Sequence, residues 1–140
     1  MPGFFTPKAL AYYLPAFMIF ILEDPDEADV MVDAVPSSLT FPVAKSDGTM
    51  AKEIKYFDDS LNFSDEDKKN IAEDIKAWNT TAIPKRIKRF KEMVDQFSDE
   101  QKNCIASFLI YRSNNEHGYL SESKVALERY WSPYFVNEKR

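Results

Sequence analysis

His117 is the one imidazole and Cys104 the one thiol among 140 residues, so nucleophilic and metal chemistry have very few places to sit. A Cys/His zinc site draws on several such ligands, and a Ser-His or Cys-His dyad would have a single available base. His117 lies between Glu116 and Gly118. It could serve as a base or a pH switch, but no neighbouring Ser, Cys or paired base fits a dyad, and it reads as a surface loop histidine. Cys104 falls on an apolar helical face, where a thiol is expected to be a buried, inert small hydrophobe. Gly3, Gly48 and Gly118 stand alone, which removes the G-x-G-x-x-G and P-loop phosphate cradles. Asp, Glu, Lys and Tyr can still move protons, but no arrangement of them points to an enzyme. The expectation is a non-enzymatic protein with no cofactor and no metal site.

Charge is the feature left to carry function. Residues 1–82 hold 7 Lys/Arg against 15 Asp/Glu, a net of −8, and residues 83–140 hold 11 against 8, a net of +3. The acidic half repels nucleic acid and attracts basic proteins. Glu23, Asp24, Asp26, Glu27, Asp29 and Asp33 form one acidic run, and Asp58 and Asp59 open a second that continues with Asp65, Glu66 and Asp67. The first run could hold a cation or a basic protein, or its acids could complement helix N-termini. The second lacks the spacing and the glycine of an EF-hand. Glu23, Asp24, Asp26, Glu27, Asp29, Asp33, Asp58 and Asp59 are therefore the candidate partner-binding residues. Lys85, Arg86, Lys88, Arg89 and Lys91 could contact phosphates, but the overall charge of −5 favours a solvated helix face. Tyr12 and Tyr13, beside Pro15, could line a pocket; aromatics at a helical kink are more often core.

These residues need helices to hold them. Thr6-Pro7 is an N-cap followed by proline at the first helical position, and it opens an apolar run whose Pro15 is expected to kink or break the helix. The second piece, Phe17 to Leu22, is apolar all round and should lie centrally in the core. Asp24-Pro25 repeats the device and starts a helix at about 26–35, which Pro36 ends. Ser64 to Asp67 approaches a capping box; Ile71, Ile75 and Trp78 then share a face, and Asn79, Thr80 and Thr81 stop that helix. Pro84 sits in the first turn of the next, whose apolar stripe is Ile83, Ile87, Phe90, Val94 and Phe97. Ser98 and Gln101 form a full capping box, with Phe97 as its staple, ahead of a buried stripe of Cys104, Ile105, Phe108 and Leu109. Those two helices, near 83–97 and 99–113, should pack as a hairpin. Ser121 caps a last helix bearing Val125, Leu127, Tyr130 and Trp131, and Ser132-Pro133 stops it.

Residues 36–63 are rich in breakers. Leu39, Phe41 and Val43 alternate as a strand would, and Ser46-Asp47-Gly48-Thr49 could turn a small hairpin. The other reading, favoured by Pro42, is a long loop pinned by Phe41, Tyr56 and Phe57. The fold class is all-α: an irregular bundle of about six helices in one globular domain over 1–140. Apolar residues at 44% and aromatics at 14% are ample for a core. The longest apolar run, 9–22, has 14 residues, short of the roughly 20 that a bilayer requires. Lys8 is the only early cation, unlike a signal peptide, and a lone cysteine suits a reducing cytosol.

Three blocks carry a resemblance. The opening Phe5-Thr6-Pro7-Lys8-Ala9-Leu10-Ala11-Tyr12-Tyr13-Leu14-Pro15-Ala16-Phe17-Met18, the helix start Phe97-Ser98-Asp99-Glu100-Gln101-Lys102 running to Phe108-Leu109, and the closing Ala126-Leu127-Glu128-Arg129-Tyr130-Trp131 resemble a bacterial family of short proteins classed only as a domain of unknown function. The resemblance implies a soluble bacterial protein and carries over no catalytic residue. Together these features lead to the expectation of a cytoplasmic binding protein with a basic protein partner and no nucleic acid or membrane. The specific reading is an immunity protein that neutralises a basic bacterial toxin. Its alternatives are an adaptor or structural module, or a small-molecule binder or hydrolase using carboxylates.

Overall fold

A computed structural model describes residues 5–44, 55, 64–115 and 121–135, and 83% of them are helical with no strand among them. The all-α class is borne out. The helices are α1 (Pro7–Glu23), α2 (Pro25–Ala28), α3 (Met31–Ser38), α4 (Asp65–Ala77), α5 (Ile83–Val94), α6 (Asp99–Asn115) and α7 (Glu122–Ala126). The chain divides into two compact units, one of residues 1–41 with 89–140 and one of 42–88. Most of the hairpin-or-loop question at 36–63, with Tyr56 and Phe57, lies outside the described residues.

Short polar side chains start five of these helices. The Thr6 hydroxyl accepts from the Ala9 N–H at 3.1 Å, and the Asp24 carboxylate from the Glu27 N–H at 3.1 Å. Ser64 and Asp67 make a reciprocal capping box, as do Ser98 and Gln101, with bonds of 3.2 and 2.8 Å. The Ser121 hydroxyl accepts from the Lys124 N–H. Each bond satisfies a donor that the first turn of a helix leaves unpaired.

The prolines act differently from what their spacing predicts. α1 runs unbroken through Pro15, which is exposed. The burial of Leu10, Leu14 and Ile21 on either side of the proline favours the continuous helix over a break. Pro36 does not end α3 but lies inside it, fully buried, and the helix reaches Ser38. Nor do residues 79–81 stop α4. The backbone widens into a π turn, Trp78–Ala82, in which the Ile83 N–H reaches back to the Trp78 carbonyl, and passes directly into α5. Pro84 lacks an N–H and crowds the carbonyl four residues back; a five-residue step just before it accommodates both. The same device recurs after α7. There a π turn, Leu127–Trp131, is closed by the Ser132 N–H to the Leu127 carbonyl immediately ahead of Pro133. The expected stop at Ser132-Pro133 is instead a further 3₁₀ turn, Ser132–Tyr134.

In the larger unit, α3 packs on α1 and α7, and α7 on α6. Leu10, Leu14 and Ile21 of α1, Val35 and Leu39, Phe90, Met93 and Val94, Ile105, Phe108 and Leu109, and Leu127 and Trp131 form one core. Phe90 and Val94 of the predicted α5 stripe and Ile105, Phe108 and Leu109 of the predicted α6 stripe therefore share this core, which also takes in Met93. Trp131 is 0% exposed, and its indole N–H donates to the Leu39 carbonyl at 2.6 Å. Around it the rings stand edge to face: Phe41 on Phe90 at 5.3 Å, Phe90 on Tyr130 at 5.1 Å, and Tyr130 on Trp131 at 4.8 Å. Phe97, the staple residue, packs on Trp131. Arg112 continues the buried face of α6, and its Nε has no hydrogen-bond partner among the described residues.

In the smaller unit, Ile75 and Ile83 are buried, and the Arg86 guanidinium lies 4.4 Å over the Trp78 ring, a cation–π contact.

Trp131→Phe keeps a ring but leaves a buried carbonyl unpaired and a small void, and should lower stability by about 2–4 kcal/mol. A shift in urea midpoint equivalent to less than about 1 kcal/mol would show that the Leu39 carbonyl finds another donor. Burial raises the Tyr130 phenol well above its ordinary value, helped by its contact with Tyr134 and by Asp95. The fold thus favours the neutral phenol. That advantage is intact below about pH 10 and is lost as the pH climbs toward the raised folded value. Tyr130→Phe should make the fall of Tm above about pH 10 shallower than in the wild type. Parallel alkaline limbs would assign the sensitivity to other tyrosines.

Candidate protein-binding surface

The acidic run sits where α1, α2 and α3 follow one another. Glu23 is the last residue of α1, Asp24 caps α2, Asp26 and Glu27 lie in its first turn, and Asp33 lies in the first turn of α3. All of these, and Asp29, are exposed. Asp24, Asp26, Glu27 and Asp33 therefore favour the positive ends of helix dipoles while their charge remains open to solvent. Asp58 and Asp59 lie outside the described residues. Among the described residues no three His, Cys, Asp or Glu side chains gather as metal ligands would.

The single helix expected at 26–35 is two helices. They separate at Asp29, whose φ of 45° and ψ of −116° fall where a side chain is strained and glycine is not. This bend makes the acids turn a corner instead of lining one face.

α1 corrects a second expectation. It is not sunk in the core on all sides. Leu10, Leu14 and Ile21 are buried, whereas Tyr12 is 78% exposed, Ile19 55% and Leu22 44%, with Tyr13 and Phe20 also open. One helix face meets the core, and a helix apolar all round has too many large side chains for one face. Tyr12 and Tyr13 are therefore surface residues, not core. With Thr6, Lys8 and Ala9 they line an open hollow of about 400 Å³.

A larger groove, about 940 Å³, runs between α1 and α6 and is lined by Met18 and Leu22 on one side and Cys104, Ser107, Phe108 and Tyr111 on the other, with Asn103 at its edge. Cys104 is exposed in it, contrary to the inert buried thiol expected. The buried stripe of α6 is Ile105, Phe108, Leu109 and Arg112, and position 104 falls one step off that stripe. Tyr111 is 53% exposed on the same side. No Asp or Glu among the described residues lines either hollow, so the carboxylate-pocket alternative gains no support. The groove residues were missed in the sequence because Leu22 and Met18 looked like core. The available signal was the surplus of apolar residues in α1, which has only Lys8 and Glu23 as charges.

The cations of α5 are all exposed. Two are committed to structure: Arg86 stacks on Trp78, and Arg89 donates to the Phe5 carbonyl at 2.9 Å. His117 lies outside the described residues.

Replacing Asp29 by Gly should stabilise the protein by roughly 0.5–1 kcal/mol, since relief of the strained φ outweighs the added entropy of the unfolded chain. A loss of stability in thermal unfolding would show that the carboxylate, not the backbone, determines this corner. Compared with protein-family models, with curated proteins and with solved structures, the chain matches none.

Proposed function

We propose that this protein acts by binding, capturing a basic protein through the acids at the α1–α2–α3 corner. The observation that carries the reading is an exposed acidic run set directly beside exposed apolar surface on α1. Charge of one sign steers an oppositely charged partner, and apolar area beside it supplies affinity once water is excluded. No helix among the described residues is long and apolar enough to cross a membrane, and a cytoplasmic location is part of the proposal. The specific form is an immunity protein that covers the basic cleft of a bacterial toxin, with Arg and Lys of the toxin meeting Glu23, Asp26, Glu27 and Asp33 here. The three sequence blocks that resemble a bacterial family fit that setting.

Stopped-flow mixing with a partner recovered at low salt tests it. The on-rate should fall at least about tenfold between low and physiological ionic strength, as the field is screened beyond about 8 Å. Glu23→Lys, Asp26→Lys and Glu27→Lys together should slow association more than they speed dissociation; Asp24 is left alone because it caps α2. An on-rate indifferent to salt and to these reversals, but sensitive to reversal of Lys85 and Lys88, would overturn the reading.

A further inference from the structure

The groove between α1 and α6 has a definite charge pattern. Its walls are uncharged: Met18, Leu22, Cys104, Ser107, Phe108 and Tyr111. The charges next to it along both helices are acidic. Glu23 and Asp24 follow Leu22 directly, and Asp99 and Glu100 lie one helical turn before Asn103 and Cys104, on the same side of α6. The cations of the same helices are engaged elsewhere or lie far along: Lys102 holds its ammonium 5.0 Å over the Tyr134 ring, Arg112 is buried, and Lys8 sits at the opposite end of α1.

We infer that this groove receives an amphipathic helix of the partner, with apolar residues at i, i+3/i+4 and i+7 against Met18, Leu22 and Tyr111 and with Lys or Arg at the flanks facing Glu23, Asp24, Asp99 and Glu100. The inference rests on the reading of the protein as a binder of basic partners and names the shape of what it binds. A trough between two helices accepts a third by ridges-into-grooves packing, and helix-in-groove recognition uses this spacing of anchors. An extended strand would find no open sheet edge among the described residues. Charge selects among helices: an apolar stripe flanked by acids would place like charges beside Glu23, Asp24, Asp99 and Glu100, whereas a basic flank is attracted to them.

Cys104 makes the test direct, because it is the chain's one cysteine and lies exposed in the groove. The probes are three synthetic 18-residue peptides: an amphipathic Leu-Lys helix, the same composition scrambled to destroy the apolar stripe, and an amphipathic Leu-Glu helix. Affinity is read by anisotropy, and groove occupancy by the rate at which N-ethylmaleimide alkylates Cys104. The Leu-Lys helix at saturation should slow alkylation at least about tenfold. Leu22→Ser and Tyr111→Ala, both at exposed positions that leave the core intact, should each weaken it about tenfold, as loss of a central anchor does. Circular dichroism confirms that these variants fold. Glu23→Gln with Glu100→Gln should weaken binding about threefold and flatten its salt dependence. If the scrambled peptide binds as well and Cys104 stays open, the groove is not the site, although capture of basic partners stands. If the Leu-Glu helix binds best and protects Cys104, the groove is a site but the basic-partner reading fails. If no peptide binds or protects, the inference is overturned.

Discussion

The indole N–H of Trp131 donates to the carbonyl of Leu39 across 92 positions of sequence, and the larger unit is organised around that bond. Leu39 follows α3, and its own N–H already closes the end of that helix on the Val35 and Pro36 carbonyls. Its carbonyl belongs to a fully buried residue and needs a donor, because an unpaired polar group away from water is expensive. Trp131, in the π turn that follows α7, supplies it. Phe41, Phe90 and Tyr130 then pack edge to face around the same ring system, and Tyr134 lies tilted against Tyr130 and Trp131. Arg129 adds a second bond in the same direction, donating to the Phe41 carbonyl at 3.2 Å. The N-terminal helices are thereby fastened to the C-terminal ones, and α1, lying against α3, inherits its position from this connection.

That placement decides which part of α1 is left over. With Leu10, Leu14 and Ile21 turned to the core and Phe17 and Met18 packed at its edge, Tyr12, Tyr13, Ile19, Phe20 and Leu22 stand outward, and α6 lies on one flank of the groove. The acids at the α1–α2–α3 corner are positioned for an independent and local reason: caps and first turns favour negative charge. Helix chemistry and core geometry thus bring an apolar trough and an acidic border together without any residue being spared from a structural role.

The prolines show how far local rules extend. Pro7 and Pro25 stand at first helical positions, where a missing N–H has no consequence, and their effect was legible in full. Pro84 and Pro133 lie where the sequence suggests an end, yet the chain stays helical, because one wider turn ahead of each absorbs the lost donor and the ring. Whether a proline stops a helix or merely widens it depends on what the following residues gain by continuing. Ile83, Phe90, Met93 and Val94 gain burial, which outweighs the roughly 3 kcal/mol that an interior proline costs.

The sequence by itself determined the all-α class, the five N-caps, both capping boxes, and the burial of Ile83, Phe90 and Val94 in α5 and of Ile105, Phe108 and Leu109 in α6. Caps and periodicity act within a few residues, so composition and spacing suffice to read them. It also located the acidic run of 23–33, since charge on short polar side chains is a local property. Tertiary structure decided the rest. A helix apolar on every side carries no mark of which face will be buried, so Leu22, Tyr12 and Cys104 could be assigned to core or surface only once α3 and α6 had taken their places. The partner of the Trp131 N–H and the groove between α1 and α6 both depend on residues far apart in sequence, and no local pattern encodes a contact of that kind.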